Sequence, residues 1–416
     1  LDVFFLIDEG KIFYFGNLYI NGLVHTKDKV LRREMLLRPG DVFSPEKYLK
    51  SINMIYNLGF IKNVDHNMLQ NEVSNVVDLN FNVVEENIND LRKIGTAIGF
   101  EYPYNPLFLI KFSKINMFGL GQSLNLFYEI SKKQKKYDIN WIYPWVFDKN
   151  IDFILDFYKR DNKIIFKNKK KGILEDIKKN GFEAKLSPRI NKKIVFPFGY
   201  RYENVYFCSK SIDNDAILKI ENNKISSVFS HFLYDSTDCI LDPSSGNLES
   251  ITFQIASKIF GGDTNFVKCI VNSKLFFPIL HKFVLSINFR FGLIAEYFNQ
   301  QIPTSELFFM GGADTVRGYD IDETEHYDGG KFMGIINMEC KFPIITKCKK
   351  TIVQGFLFYD IGTLGKDDNA IYQGFGIGIG IPANVFGINF PIRFDLSQGL
   401  RDKFKPKFYF SLINRI

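Results

Sequence analysis

The sequence predicts a mainly β chain: a 16-stranded antiparallel transmembrane β-barrel preceded by one small α+β domain. Three observations carry this. Aromatic usage is heavy, with 44 Phe and 20 Tyr in 416 residues, yet mean hydropathy is near zero, so apolar residues are dispersed among polar ones. No stretch approaches the roughly 18 to 20 uninterrupted apolar residues of a membrane-spanning helix, which leaves alternating strands as a way across a bilayer. Finally, the hydrophobic pattern is mixed over the first ninety or so residues and has a period of two from Lys93 onward.

At the N-terminus, Leu1–Asp8 reads as a strand before Glu9-Gly10, and Ile12–Ile20 as a second, punctuated by Gly16 and Gly22. Thr26 is the candidate N-cap of a helix over 27–36, with Pro39-Gly40 as its stop. Ser44 and Pro45 open another helix that runs to Asn57 and stops at Gly59. Residues 61–67 and 76–84 then read as strands, the second with Val77, Leu79, Phe81 and Val83 inside against Asp78, Asn80 and Asn82 outside. Strand, helix, helix, strand, strand describes a small α+β domain. Leu1 follows no charged n-region and apolar h-region, so the chain reads as a mature or truncated piece.

The longest alternating run is 282–297. Phe283, Leu285, Ile287, Phe289, Phe291 and Leu293 share one face; Lys282, Ser286, Asn288 and Arg290 share the other. Such an apolar face over about ten residues suits a strand turned toward lipid. Segment 387–397 repeats the pattern, with Ile388, Phe390, Ile392, Phe394 and Leu396 opposite Asn389, Arg393 and Asp395. In all, sixteen segments read this way: 93–102, 106–115, 122–131, 136–144, 151–160, 181–190, 194–207, 225–235, 246–257, 266–278, 282–297, 332–344, 351–362, 373–382, 387–397 and 407–416. An even count suits a closed barrel, which leaves no exposed edge. Connections alternate short and long, the long ones being 161–180, 208–224 and 298–331. A soluble sandwich or propeller would favour shorter strands with fewer outward aromatics.

The net charge of +7 is spread along the chain without a nucleic-acid motif, so no nucleic-acid partner is expected. The densest run, Lys167 with Lys169, Lys170 and Lys171, reads as an exposed loop. Five cysteines (Cys208, Cys239, Cys269, Cys340, Cys348) have no CxxC spacing, and five histidines have no ligand spacing. No nucleophile sits in a recognisable setting. The expectation is no metal, no cofactor and no catalysis.

The first domain carries Val30-Leu31-Arg32-Arg33-Glu34-Met35, then Pro39-Gly40, Leu58-Gly59-Phe60 and Val64. This resembles the last POTRA domain of the BamA family of outer-membrane assembly factors. Ile7-Asp8-Glu9-Gly10 is similar to the strand that closes a preceding POTRA domain, giving expected boundaries of 1–10, 11–90 and 91–416. In the longest connection lies Val316-Arg317-Gly318-Tyr319, and downstream Phe358-Tyr359-Asp360-Ile361-Gly362. In BamA-like and two-partner-secretion barrels such a tip folds into the lumen, and the acidic residue pairs with its arginine. The resemblance therefore implies that Arg317 and Asp360 lock a lumenal loop, a fork-to-carboxylate bond being directional. Pro144-Trp145-Val146-Phe147-Asp148, Asn337 and Glu339 with Phe342-Pro343, the glycine alternation 374–380 and Phe408–Leu412 add to the likeness. Terminal Ile416 departs from it, since an aromatic is usual there.

What the resemblance implies is a non-enzymatic factor in the bacterial outer membrane, its POTRA domain periplasmic. Its partners would be unfolded outer-membrane β-barrel clients, accessory lipoproteins and outer-membrane lipid. Arg32, Arg33 and Glu34 are either the docking surface for a lipoprotein or ordinary solvated helix residues. Insertion of a client needs a weak seam, expected where first strand meets last: Lys93 and Ile94 against Phe408, Phe410 and Leu412, with Pro406 supplying no donor. The POTRA edge strand would take up an extended chain by β-augmentation. A polypeptide-translocating pore of the same superfamily, or a passive porin-like channel, is the alternative.

Overall fold

The structure, a computed structural model, describes residues 11–71, 73, 75–87, 91–101, 105–167, 172–191, 193–212, 216–239, 242–280, 282–298, 300–320, 329–347, 350–365, 370–385, 388–401 and 405–412. The strand expected over Leu1–Asp8, the centre of the lysine run, Cys348 and Ile416 lie outside the described residues. One compact unit takes in the chain through Ile94 together with Phe112–Asn125 and Trp141–Pro144; the second holds the rest.

The small domain runs β1 (Tyr14–Asn21), α1 (Asp28–Arg32), α2 (Pro45–Asn57), β2 (Ile61–Asn71) and β3 (Val76–Glu85). Its sheet has the order β1-β3-β2, with β1 parallel and β2 antiparallel to the central strand. The alternation read from the sequence is real: Val77, Leu79, Phe81 and Val83 are buried against Val30, Leu31, Ile52 and Ile55 of the helices. On α2, Ser44 accepts the Lys47 amide at 3.3 Å, and Tyr48, Ser51, Ile52 and Ile55 form its buried stripe.

The first helix is a correction. It is five residues long rather than ten, begins at Asp28, and has Lys27, not Thr26, at the N-cap. Tertiary partners outcompete the helix at both ends. The amide of Thr26 donates to Glu85 at 2.7 Å, and its hydroxyl accepts from Asn116 at 2.8 Å. The amide of Leu36 goes to the Ser51 hydroxyl at 3.0 Å, so the chain turns away instead of continuing.

The large sheet contains β4 (Arg92–Glu101), β5 (Asn105–Met117), β6 (Gln122–Ser131), β7 (Gln134–Tyr143), β8 (Ile151–Lys167), β9 (Gly172–Pro188), β10 (Ile194–Val195), β11 (Phe198–Ser211), β12 (Ile217–Asp235) and β13 (Gly246–Ala256). It continues with β14 (Phe266–Leu280), β15 (Phe283–Glu296), β16 (Phe332–Lys347), β17 (Lys350–Gly365), β18 (Ile371–Val385), β19 (Ile388–Gly399) and β20 (Lys407–Leu412). Consecutive strands are neighbours, β20 lies beside β4, and β9 pairs with β11, so the sheet closes on itself. Two-residue β10 continues into β11 across Phe196-Pro197, both pairing with β12. Counting them as one gives sixteen strands among the described residues, one for each segment read from the sequence.

The connections expected over 161–180 and 208–224 are a second correction. β8 and β9 pair from Ile151 with Pro188 to Lys167 with Gly172, and β11 and β12 pair from Phe198 with Ser230 to Lys210 with Ile217. A bilayer needs only about 9–11 residues per strand, so these hairpins run on past the hydrocarbon. There the row that continues from Phe157 is Lys159, Asp161 and Lys163, and without an apolar face the sequence alternation disappears. On the outward face of β15, Phe283, Phe289, Phe291 and Leu293 are each 41–45 % exposed, as lipid-facing side chains are in a chain without its bilayer. Among the described residues no helix is long and apolar enough to cross a membrane.

Candidate functional site

Between β15 and β16 the chain turns into the barrel. Gly311, Gly312 and Gly318 have φ of 123°, 94° and 97°, conformations that favour glycine. At Gly318 a Cβ would lie 2.5 Å from the Gly399 amide nitrogen, so only glycine lets the tip approach β19. Val316 and Tyr319 on either side are fully buried.

Arg317, 6 % exposed, forms the centre. Its Nε donates to Asp360 Oδ2 at 2.7 Å and its Nη2 to Oδ1 at 2.8 Å, a two-pronged pair; its own amide adds a third bond at 3.1 Å. Asn337 donates to Asp360 at 2.8 Å and to the Thr315 carbonyl at 2.7 Å, tying loop and wall together again. The guanidinium lies over the Phe358 ring, 3.4 Å from its centroid. Arg317 Nη1 also reaches Glu339 at 3.3 Å and Asp395 at 3.4 Å.

A second arginine completes the network. Arg393 donates from Nη1 and Nη2 to Glu339 at 2.9 and 2.7 Å and from Nε to Asp395 at 2.8 Å, and it lies 4.1 Å over the Phe356 ring. Two cations thus meet three carboxylates. Buried charges persist only when so paired, because each alone would carry a large desolvation cost. Room for the network comes from β18: a Cβ on Gly374 would lie 1.9 Å from the Arg317 carbonyl oxygen, on Gly376 2.5 Å from Phe358, and on Gly378 2.0 Å from Asp395.

Sequence reasoning named Val316, Arg317, Gly318, Tyr319 and Asp360, and the fold brings all five together. It missed Arg393 and Asp395 as members and gave Glu339 and the β18 glycines no role. Polar residues are expected anywhere on a lumenal face, so nothing in the pattern marked these. It also missed the contact of the last strand with the loop. Tyr409 on β20 accepts the Gly318 amide through its hydroxyl at 3.1 Å and donates to the Tyr319 carbonyl at 3.3 Å, and Lys407 pairs with Asp320 at 2.7 Å.

At the expected seam β20 lies beside β4, and among the described residues its other edge pairs with β19 over Lys407–Leu412. Ile94 is 74 % exposed on β4, and Phe408 and Phe410 flank Phe394 of β19 with ring centroids 6.0 and 5.2 Å away. The side chains of Lys93 and Leu412 lie outside the described residues. In the small domain, Arg32 is exposed and bonds Asp28 at 2.5 Å and the Leu18 carbonyl at 3.0 Å. Arg33 instead turns inward and donates to the Leu120 carbonyl at 3.0 Å, with Glu34 beside it at 4.0 Å.

The chain is similar to known proteins. The profile described as the Omp85 superfamily domain matches residues 116–415, and the POTRA profile, described as a surface antigen variable number repeat, matches 13–86. The outer membrane protein assembly factor BamA of Nitratidesulfovibrio vulgaris is 26% identical over 352 residues, covering 82% of this chain and 43% of the relative. That of Neorickettsia risticii is 24% identical over 427 residues, covering 96% and 54%. The chain therefore spans about half the length of these relatives. Among solved structures, BamA from Haemophilus ducreyi lacking POTRA domains 1–3 superposes with a TM-score of 0.77 at 15% identity, over 97% of this chain and 84% of that one, a likeness of fold.

Proposed function

The chain belongs to the Omp85 superfamily, and we propose that it folds and inserts β-barrel proteins into the bacterial outer membrane, its POTRA domain lying in the periplasm. The observation that carries this reading is the last strand. β20 lies beside β4, so the first and last strands of the sheet meet there, and Pro406 leads into β20 without a backbone donor, which makes this junction the place where the sheet parts most easily. A parted seam offers the free edge of β4 to a client's terminal strand. β2, an edge strand of the POTRA sheet, would take up the client before it reaches the barrel. The Arg317 network holds the loop in the lumen, which disfavours an open porin-like channel, and through Tyr409 it also touches the seam. An accessory lipoprotein would dock on the exposed helix end at Arg32, with Arg33 and Glu34 fixing that helix from inside. Outer-membrane lipid faces the aromatic rows of β15.

The test is to cross-link β4 to β20 through engineered cysteines, with the native cysteines replaced. Client insertion into liposomes should be lost while the chain itself stays folded in detergent, and a matching cross-link between β15 and β16 should leave insertion intact. A sealed seam that still inserts clients at the parent rate would sink the proposal and favour a polypeptide-translocating pore of the same superfamily.

A further inference from the structure

The lumenal loop is fastened at a second place. After Pro303 the residues Thr304–Glu306 form a single 3-10 turn. Glu306 is 5 % exposed, and its carboxylate accepts from Lys179 Nζ on β9 at 2.7 Å and from Lys268 Nζ on β14 at 3.1 Å. Lys268 donates to the Glu306 carbonyl as well, at 2.9 Å. Thr304 gives its amide and hydroxyl to Glu221 of β12 at 3.0 and 2.8 Å, and Lys219 of the same strand donates to that hydroxyl at 2.8 Å. Phe308 follows, seated over Gly292 of β15, where a Cβ would lie 2.7 Å from the ring.

These contacts share no strand with the other set. Thr304–Phe308 engages β9, β12, β14 and β15; Arg317–Asp320 engages β16, β17, β18, β19 and β20. A carboxylate buried between two ammonium groups is also not a surface pair worth little, because water no longer competes for either partner. We infer that Thr304–Glu306 is a second anchor of the loop, independent of Arg317, so that the loop is a strap tied to two separate arcs of the barrel wall. Glu306 is then a positioning residue for the loop itself. The inference rests on the reading of this loop as part of the insertion machinery, but its test follows where the loop is, not whether clients insert, so either can fail alone.

The probe is Ala313→Cys, an exposed position on the loop, in the full chain with its five native cysteines replaced by serine. A polyethylene-glycol maleimide too large to enter the lumen reads how often the loop leaves. Glu306→Gln and Asp360→Asn should each raise the labelling rate by about tenfold or more, as expected for loss of a charged hydrogen bond. Their combination should raise it by the product of the two factors, as sites without shared partners do. Heat-modifiable gel mobility confirms that each variant is folded; if Glu306→Gln is not, Thr304→Val removes the link to Glu221 in its place. Labelling of the Glu306 variant at the parent rate, or of the double variant no faster than Asp360→Asn alone, would overturn the second anchor.

Discussion

Glu85 shows how one side chain fixes a loop and makes it sensitive to acid. Its carboxylate accepts the backbone amides of Val24, His25 and Thr26 at 3.2, 2.9 and 2.7 Å, gathering three successive donors just before α1. Partial burial alone would push its pKa up, but the Thr26 hydroxyl and the three amides outweigh it and hold the carboxyl below its ordinary value of 4.5. A depressed carboxylate stabilises the fold fully above that ordinary value, and the contribution is lost as pH falls through the lower folded-state value. We expect hydrogen–deuterium exchange of the 23–27 segment, corrected for intrinsic rates, to speed up as pH drops below about 4.5. In Glu85→Gln the segment should be less protected at pH 7 and lack that acid step; an unchanged acid step would assign it to another group.

Among the elements, β18 has the most unusual task. Its lumenal positions are glycines because the side chains of β17 and β19 and the loop backbone occupy the space a Cβ would need. Gly374→Ala places a methyl 1.9 Å from the Arg317 carbonyl oxygen, and a backbone atom cannot swing aside as a flexible side chain can. Overpacking of this kind costs about 1–3 kcal/mol. The control is Gly334→Ala on β16, where the nearest atom is a side-chain carbon at 3.5 Å and the change should stay within about 0.5 kcal/mol. Thermal unfolding of the detergent-solubilised chain separates the two, with a clear drop in midpoint expected only for Gly374→Ala. Equal midpoints would mean that the loop sits elsewhere than over β18.

For the whole molecule, orientation in the bilayer follows from which face of each strand is apolar. Ile287 lies mid-strand on β15, on the face of Phe283, Phe289 and Phe291, while Asn288 bonds Asn337 at 3.2 Å on the lumenal face. A lysine at position 287 would place a charge near the bilayer midplane, at a cost of about 2–4 kcal/mol. Ile287→Lys should therefore lower the yield of heat-modifiable barrel assembled in liposomes, whereas Asn272→Lys on β14, whose side chain lines a cavity inside the barrel, should assemble nearly as the parent does. Equal yields would reverse the face assignment.

The sequence by itself determined the number of strands, the order of the elements in the small domain and the lipid-facing side of the barrel. Each follows from a local period: a pleated strand must alternate, and a bilayer makes that alternation strong wherever hydrocarbon is present. The same dependence explains the missed extension of β8, where Lys159, Asp161 and Lys163 continue the outward row and no apolar contrast remains. The motif around Arg317 and that around Asp360 were also visible, since each is a short string. Only the tertiary structure decided what joins them. Arg393, Asp395, Tyr409, Glu306 and the glycines of β18 come from strands and turns far apart in the chain, and a polar or small residue facing a lumen reads the same whether it meets water or a buried arginine. The shortened α1 has a like cause: the partners of Thr26 and Leu36 are Glu85, Asn116 and Ser51, which no local pattern around residue 26 or 36 contains.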